Sequence, residues 1–372
     1  MTVALAATIP MFDLRPVIAR AAGTIQANLA AMHEAGQYIQ GEQVVRFEEE
    51  IASSFGARLA VGCGSGTSAL ELSLRAAGVT NACDEVLVPA NTSLFTAQAV
   101  LAAGARLRVA DVDPATLLLT REMAERAMTD KVRAVIAVHL FGRAAALDEL
   151  AELCERRGIV LIQDSCQAHG LRFLGRPLTD YSDYVAYSFY PTKNLGCLGD
   201  GGAVLTNSAL AADRLRLLRD GGRAGGQVAR VPAVNSRLDE IHACYLRGFL
   251  PHLDYWTGHR RRIAAAYNAL LVDSRCARAI PAEASAVHHL YVIRAYRREL
   301  LREHLAAQGI LTAVHYPTPL HQHPGFAGRL SIGEEPVHAI AASREILSLP
   351  IGPHISEQAA RYVAEEVLRH QR

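Results

Sequence analysis

The regular alternation of short β-rich apolar segments with helical patterns, between residues 58 and 219, constrains the fold most. Seven segments have the apolar, β-branched composition of strands, and the stretches between them show the spacing of amphipathic helices. The predicted strands are Arg58–Val61, Glu85–Val88, Arg106–Ala110, Arg133–Val138, Ile159–Gln163, Val185–Ser188 and Gly202–Thr206. This alternation predicts an α/β fold with a mostly parallel, doubly wound sheet that is covered by helices on both faces.

The pattern changes near residue 237, where two long helical segments, Arg237–Leu250 and Tyr255–Leu271, replace the alternation. A strand–helix–strand–helix succession then follows, over Val287–Tyr296, Glu299–Gln308, Leu311–His315 and Pro336–Leu347. A chain of 372 residues is long enough for two domains. We therefore predict a large ligand-binding domain over residues 1–250 and a smaller C-terminal α+β domain over residues 251–372.

Charge and composition exclude several classes of function. Lys and Arg total 38 against 37 Asp and Glu, and a net charge of +1 gives no general attraction to nucleic acid or anionic membranes. The uncharged stretch Val86–Ala105 is interrupted by Pro89, so it predicts a buried strand and helix rather than a membrane span. Seven Cys without a CxxC pair favour reduced thiols over disulfides or a metal site. With no basic segment at the N-terminus, we expect a cytoplasmic protein.

Ligands of parallel α/β sheets bind beyond the carboxyl ends of the strands, and a glycine-rich turn lies at one such place. The segment Val61–Leu70, VGCGSGTSAL, carries three glycines between a predicted strand and a predicted helix. A closely approaching backbone and the free N–H groups of a helix N-terminus suit a phosphate. Taken alone, the motif also fits a plain turn or the nucleotide loop of a methyltransferase, although Pro89 stands where that loop's ribose-binding acid is expected.

Two further motifs place a carboxylate and a lysine near the ends of strands. Asp164 closes the apolar strand of IVLIQDSCQAHG, where a buried carboxylate needs a cationic partner. Lys193 follows a strand in the loop of YSFYPTKNLGCLGDGGAV, and the chain's only other lysine is Lys131. Because arginine provides the remaining positive charge, Lys193 is a candidate for chemistry that requires loss of a proton. Taken singly, a turn-capping aspartate and a solvated loop lysine remain alternatives.

Together the three motifs predict a site for pyridoxal 5′-phosphate (PLP). The aldehyde of PLP needs an amine for a Schiff base, its pyridinium nitrogen needs a carboxylate, and its phosphate needs donors at a helix N-terminus. An NAD site or a methyl-transfer site would leave Asp164 and Lys193 without a role.

The motifs GSGTSAL, DSCQAHG, SFYPTKNLG, NSRLDEIHA and HYPTPLH, found in this order, resemble those of the DegT/DnrJ/EryC1/StrS family of sugar aminotransferases. The resemblance extends from Ile9 to Pro353 and implies the PLP fold type I, which is the aspartate aminotransferase-like fold. The segments YPTKNLGCLGDGGAV and HLYV…HYPTPLHQ are most similar to members that aminate C3 of nucleotide-linked 3-keto-6-deoxy sugars.

The resemblance implies a role for individual residues. Lys193 would form the Schiff base and move the proton, and Asp164 would pair with the pyridine nitrogen. The implied cofactor-binding residues are Gly66, Thr67, Asp164, Gln167, Ser188, Lys193 and Asn235, of which Asn235 would reach the phosphate from a second subunit. The implied substrate-binding residues are Tyr190, His315, Tyr316 and His139. No residue is expected to hold a metal.

The implied reaction is a ping-pong transamination through pyridoxamine phosphate. An amino acid, expected to be L-glutamate, would provide the amino group, and a dTDP-type 3-keto-6-deoxyhexose would accept it. Shared active sites imply a homodimer without nucleic-acid or membrane partners. Two alternatives remain, a keto-cyclitol or 4-keto sugar of antibiotic biosynthesis as the substrate and a non-catalytic ligand-binding or regulatory relative. The presence of Lys193 and the lack of an appended DNA-binding segment argue against the second.

Two positions depart from the family pattern. Ser93, in PANTSLFTAQAV, stands where family members usually carry an aromatic residue that stacks on the cofactor ring. Serine cannot stack, so Phe95 or another side chain is expected to cover the ring, or the cofactor is held less firmly. Gly221–Gly222 stands where a His–Gly pair is common. Both departures bear on the substrate rather than on the identity of the cofactor.

Overall fold

The computed structural model describes residues 8–224, 226–272, 274, 277–281 and 283–370. The strands are β1 (Leu59–Cys63), β2 (Glu85–Pro89), β3 (Arg106–Ala110), β4 (Val132–Val138), β5 (Val160–Asp164), β6 (Arg172–Phe173), β7 (Arg176–Pro177), β8 (Val185–Ser188), β9 (Gly202–Thr206), β10 (Ala277–Ala279), β11 (Tyr291–Ala295), β12 (Leu330–Ile332) and β13 (Ile346–Leu349). The helices are α1 (Arg15–Ala35), α2 (Glu42–Phe55), α3 (Gly66–Ala76), α4 (Leu94–Ala103), α5 (Arg121–Ala127), α6 (Leu147–Arg157), α7 (Ala209–Arg219), α8 (Glu240–Phe249), α9 (Leu253–Leu271), α10 (Arg298–Ala307), α11 (Val337–Glu345) and α12 (Glu357–Arg369).

An eight-stranded sheet forms the centre, in the order β1-β9-β8-β5-β4-β2-β3-β12. Strand β9 is antiparallel to both of its neighbours, and the other pairs of neighbouring strands are parallel. The mostly parallel α/β sheet is therefore confirmed, and the ends of the seven predicted strands differ from the observed ones by at most two residues. The uncharged stretch Val86–Ala105 forms β2 and α4 as expected. No helix within the described ranges is both long and apolar enough to cross a membrane.

Two apolar cores lie on opposite faces of this sheet. In β4, Val135 belongs to one core and the adjacent Ile136 belongs to the other, because successive side chains of a strand point to opposite faces. Helix α2 covers the first face with Phe47, and helix α3 covers the second with Leu70. Burial on both faces explains why these strands are continuous apolar runs rather than alternating ones.

The C-terminal part of the chain builds a second, three-stranded sheet in the order β10-β11-β13. A third core packs this sheet against α9, α10 and α12. The strand predicted over Leu311–His315 does not form, because only Ala313 pairs with β13, through Ser348, before the chain turns towards the ligand cavity. Strand β12 leaves this region to pair with β3 of the large sheet. A division into domains at residue 250 stays a prediction.

One glycine allows helix α3 to cross the large sheet. The turn between β1 and α3 passes over β9, where a Cβ on Gly202 would lie 2.3 Å from the carbonyl oxygen of Ser65. Because Gly202 has no side chain, the N-terminus of α3 reaches Ser188 at the end of β8. This crossing brings the glycine-rich turn to the sheet edge where β5 and β8 end.

Candidate active site

A cavity of about 520 Å³ opens at the carboxyl ends of β5 and β8. Nine of the residues predicted for the site line it, namely Gly66, Thr67, Asp164, Gln167, Ser188, Tyr190, Lys193, His315 and Tyr316. These residues come from both halves of the chain, so the segment that carries His315 and Tyr316 completes a cavity begun by the large sheet.

The N-terminus of α3 provides the anion-binding end of the cavity. Ser65 caps the helix by accepting a hydrogen bond from the N–H of Ser68 at 3.0 Å. Gly66 and Thr67 begin the helix, where backbone N–H groups have no intrahelical acceptor. A Cβ on Gly66 would lie 2.6 Å from Cβ of Ser188, so only glycine leaves this approach open. The two N–H groups and the Ser188 hydroxyl form a cradle of the kind that binds phosphate.

A buried ion pair, which sequence reasoning missed, holds the glycine turn from behind. Oε1 of Glu48 accepts a hydrogen bond from the N–H of Gly62 at 2.7 Å. Nη1 of Arg219 donates to the carbonyl oxygen of Gly62 at 2.7 Å and pairs with the same carboxylate. Both polar groups of the Gly62 backbone are therefore satisfied by one ion pair. Neither side chain lies in a motif, so their sequence positions carry no signal of this role.

Asp164 is 6% exposed and lies on the floor of the cavity. Its Oδ2 accepts a hydrogen bond from the hydroxyl of Thr96 at 2.8 Å, and its Oδ1 accepts one from the N–H of Cys166 at 3.2 Å. Within the described ranges no Lys, Arg or His forms an ion pair with this carboxylate. A buried carboxylate without a counter-ion suits a ligand that carries a positive N–H group.

Thr96, which donates a hydrogen bond to Asp164, is a residue of the candidate site that the sequence reasoning missed. Its hydroxyl is buried and lies 3.2 Å from the hydroxyl of Thr92, which is also buried. The only signal available in the sequence was a hydroxyl on an apolar helix, in a motif already examined for Ser93.

Lys193 extends into the same cavity from the loop after β8. Burial lowers the pKa of its amine, and the nearby Cys166 and Asp164 oppose part of that effect. Among the residues that the structure describes, none forms a hydrogen bond or an ion pair with this amine. An amine that loses its proton more readily than an ordinary lysine can act as a nucleophile or a base.

Gln167 and Tyr316 form one wall of the cavity. Oε1 of Gln167 accepts a hydrogen bond from the N–H of Phe141 at 2.7 Å, and its Nε2 donates to the hydroxyl of Tyr316 at 3.0 Å. Burial raises the pKa of Tyr316 to about 12, although its hydrogen bond with Ser93 opposes the shift, so the phenol stays protonated. Phe95 is 59% exposed at the cavity mouth. Ser93 thus lies beside the phenol of Tyr316 and does not supply an aromatic ring itself.

Two predicted residues are not part of the lining. His139 is fully buried, and its Nδ1 accepts a hydrogen bond from the N–H of Ala145 at 3.1 Å while its Nε2 lies 3.1 Å from Oε1 of Gln163. Because both ring nitrogens are used within the core, this placement gives no support to a substrate contact by His139. Asn235 is exposed and pairs with the backbone of Asp220. Its role towards a second subunit stays a prediction.

His289, from the HLYV segment, is a lining residue to which sequence reasoning assigned no role. It is 7% exposed and lies on the cavity wall with Lys193 and His315. The available signal was its position in the HLYV segment, which was quoted for the family resemblance.

The residues of the cavity fit PLP. The cradle of Gly66, Thr67 and Ser188 suits its phosphate. The carboxylate of Asp164, which has no counter-ion among the described residues, suits its pyridinium nitrogen, and the amine of Lys193 suits its aldehyde. A volume of about 520 Å³ also leaves room for the reacting part of a substrate.

Comparisons with known proteins find matches that cover nearly the whole chain. The DegT/DnrJ/EryC1/StrS aminotransferase family matches residues 20–368. The dTDP-3-amino-3,4,6-trideoxy-alpha-D-glucose transaminase of Streptomyces venezuelae is 39% identical over 362 residues, which cover 96% of this chain and 95% of that protein. A pleiotropic regulatory protein of Geobacillus stearothermophilus is 38% identical over 364 residues, which cover 96% of this chain and 97% of that protein. The crystal structure of S. venezuelae DesV in complex with a ketimine intermediate superposes with a TM-score of 0.95 at 37% identity, covering 99% of this chain and 100% of that one.

Proposed function

This chain belongs to the DegT/DnrJ/EryC1/StrS aminotransferase family and is a PLP-dependent transaminase, and on that premise we propose that it moves an amino group from L-glutamate to a nucleotide-linked, dTDP-type 3-keto-6-deoxyhexose. The observation that carries the proposal is the convergence of Lys193, Asp164 and the α3 cradle on one cavity. The 39% identity to a relative named as a dTDP-amino sugar transaminase supports the choice of substrate.

Three parts of the cavity would hold the cofactor. The N–H groups of Gly66 and Thr67 and the hydroxyl of Ser188 bind the phosphate at the positive end of the α3 dipole. Asp164 would keep the pyridine nitrogen of bound PLP protonated, and Thr96 donates the hydrogen bond that orients its carboxylate. Bound PLP supplies an aldehyde that captures amines and a ring that withdraws electrons from the reacting carbon.

Lys193 carries the proton transfers. Because burial lowers its pKa, Nζ is neutral more often than in an exposed lysine and can attack an aldehyde. With PLP bound, the same Nζ would remove the proton from the α-carbon of the amino donor, and in the second half-reaction it would deliver a proton to the sugar carbon that receives the amino group. The absence of a protein counter-ion among the described residues leaves Nζ free for both tasks.

The open side of the cavity suits the uncharged, hydroxylated ring of a sugar. Burial lowers the pKa of His315 to about 4, so its imidazole is neutral near pH 7, and Tyr316 remains a protonated phenol. Such groups exchange hydrogen bonds with sugar hydroxyls without introducing charge. Tyr190 lies at the mouth, half exposed, where the outer part of a sugar nucleotide would pass.

A homodimer is part of this proposal. Lys193 is the only Lys or Arg on the part of the lining that the structure describes, whereas a sugar diphosphate and the carboxylates of glutamate need several cationic or N–H donors. Asn235 lies on an exposed segment together with Val231 and Val228, which is 77% exposed. Pairing with a second copy would cover these side chains and bring Asn235 to the partner's phosphate cradle.

The test uses purified protein loaded with PLP and L-glutamate. Three acceptors are offered separately, a dTDP-linked 3-keto-6-deoxyhexose, its 4-keto isomer and a keto-inositol, and the amino product is measured by mass spectrometry. We expect the 3-keto sugar to give the highest kcat/KM. A higher value for the keto-inositol or the 4-keto isomer would assign the alternative substrate instead.

A further inference from the structure

The side chain of His289 is held in one orientation by its neighbour in the fold, Asn194. Nδ1 of His289 lies 3.2 Å from Oδ1 of Asn194, and Nδ2 of Asn194 donates to the carbonyl oxygen of Val287 at 3.0 Å. That second bond identifies which end of the amide carries the hydrogens, so Oδ1 is the end that faces the imidazole. An amide oxygen only accepts hydrogen bonds, and Nδ1 of His289 therefore carries the proton.

Because Nδ1 carries the proton, Nε2 of His289 is unprotonated and has a free lone pair. Within the described part of the chain, Nε2 has no hydrogen-bond partner, and the ring that carries it lines the cavity. Burial and the neighbouring groups Lys193, Arg260, His315 and His169 all lower the pKa of His289, which keeps the imidazole neutral. The ring thus offers the cavity a single hydrogen-bond acceptor.

The backbone around His289 is fixed as firmly as its side chain. Nη1 of the buried Arg260 donates to the carbonyl oxygens of His288 and His289, each at 3.3 Å, and to that of Ile351 at 3.2 Å. On the opposite side, a Cβ on Gly142 would lie 2.8 Å from the backbone nitrogen of His289, so the segment packs against a position without a side chain. An acceptor held this rigidly loses little entropy when a ligand binds.

We propose that Nε2 of His289 accepts a hydrogen bond from a substrate hydroxyl on a carbon next to the carbonyl that reacts, so that His289 selects hydroxylated ketones. This inference rests on the proposed function, because it assumes that a keto sugar reacts at Lys193. Lys193 and His289 both line the cavity and are close enough to interact electrostatically, and the reacting carbon must approach Nζ of Lys193. The nearest hydroxyls on a sugar are those of the two adjacent carbons, and a neutral acceptor suits a hydroxyl donor.

The test compares His289→Phe with His289→Gln. Phenylalanine keeps a ring but has no acceptor, whereas glutamine keeps an acceptor. With the dTDP-linked 3-keto-6-deoxyhexose, we expect KM in the Phe variant to rise about tenfold to a hundredfold, and that in the Gln variant to rise less. The donor half-reaction, followed as the loss of cofactor absorbance on adding glutamate, should be affected less than the sugar half-reaction, because glutamate has no hydroxyl to donate to this acceptor.

Binding without catalysis provides the second readout. Calorimetric titration of the PLP-loaded protein with the same keto sugar, without an amino donor so that no amination occurs, should show Kd weakened in the Phe variant by a factor similar to that in KM. Asn194→Leu, which removes the acceptor for Nδ1 and frees the tautomer, should show a smaller loss of the same kind. His252→Phe makes the same substitution outside the cavity, beside Trp256, and should leave both constants unchanged.

The outcomes separate the two proposals. Values of KM and Kd for His289→Phe within about twofold of the wild type would overturn the role of His289. A wild-type protein that aminates the keto-inositol and does not aminate the nucleotide sugar would instead overturn the proposed substrate. The same variants would then be compared with the keto-inositol, which also carries hydroxyls beside its ketone.

Discussion

The hydroxyl of Thr96 donates a hydrogen bond to Oδ2 of Asp164 over 2.8 Å, on the buried floor of the cavity. The two residues are 68 positions apart in the chain, and the hydroxyl of Thr92 in turn contacts that of Thr96. The carboxylate on which the cofactor nitrogen depends is thus oriented by a helix from a different βα unit.

Replacing Thr96 with valine should weaken cofactor binding. The change keeps the shape of the side chain but leaves one oxygen of a buried carboxylate without its donor, and hydrogen bonds to charged groups contribute about 1.5–3 kcal/mol. We expect Kd for PLP, measured by fluorescence titration, to rise about tenfold or more. Thr92→Val is the matched control with a smaller effect, because its hydroxyl contacts Thr96 and not the carboxylate. Equal effects of the two variants would contradict this prediction.

Borohydride reduction of the PLP-loaded protein should fix the cofactor to Lys193. The chain has only two lysines, and Lys131 is exposed far from the predicted chemistry, so peptide mass spectrometry assigns the label clearly. Lys193→Arg keeps the charge but removes the amine, and transamination should fall by about 10³-fold or more. Lys131→Arg should behave like the wild type. A label on another residue, or activity retained by Lys193→Arg, would contradict the role of Lys193 as the amine that reacts with PLP.

Adding one methyl group at Gly66 should close the phosphate cradle. The Cβ of alanine would lie 2.6 Å from Cβ of Ser188 and 2.8 Å from Sγ of Cys166, so these neighbours must move. We expect weaker PLP binding and a loss of about 1–3 kcal/mol in the free energy of unfolding. Gly258→Ala, in helix α9, meets no atom within 4 Å and should be neutral or stabilising by up to about 1 kcal/mol. Unchanged PLP affinity in Gly66→Ala would contradict the assignment of the cradle.

The buried amine of Lys193 should make the cofactor-free protein less stable at neutral pH. Its pKa is lower in the folded chain than the ordinary 10.5 of the unfolded chain. Between these two pKa values unfolding takes up a proton, so the free energy of unfolding rises with pH over that range. Lys193→Met removes the titrating group and should raise the thermal midpoint. The difference from the wild type should narrow as the pH approaches 10.5. A difference that stays constant with pH would show that the pKa is not lowered.

Mixing two inactive variants should restore activity if the active site is shared between subunits. In a hybrid dimer of Lys193→Ala and Asn235→Ala chains, one site combines the intact Lys193 of one subunit with the intact Asn235 of the other. We expect activity to appear after the two proteins are unfolded together and refolded, and not after either is refolded alone. The lack of any recovery in verified hybrid dimers would contradict a shared site.

Much of the site could be predicted because its residues follow directly from strand ends. Asp164 closes β5, Ser188 closes β8 and Gly66 begins α3, and a parallel sheet brings such positions to one edge. His139 also follows a strand, β4, but its ring points into the core, where Gln163 and Ala145 use both nitrogens. Position along the chain indicates the edge of a sheet, but it does not determine which way a side chain at that edge points.

The sequence by itself determined the α/β class, the place of the glycine turn and the presence of Asp164 and Lys193 in one site, because these follow from local periodicity and from residue chemistry. Only the tertiary structure decided how those groups are supported. Thr96 reaches Asp164 across 68 residues, Arg219 reaches Glu48 across 171, and His289 reaches Asn194 across 95. Contacts at such separations depend on how helices and loops pack over the sheet, and that packing fixes hydrogen-bond partners and tautomers that no short motif encodes.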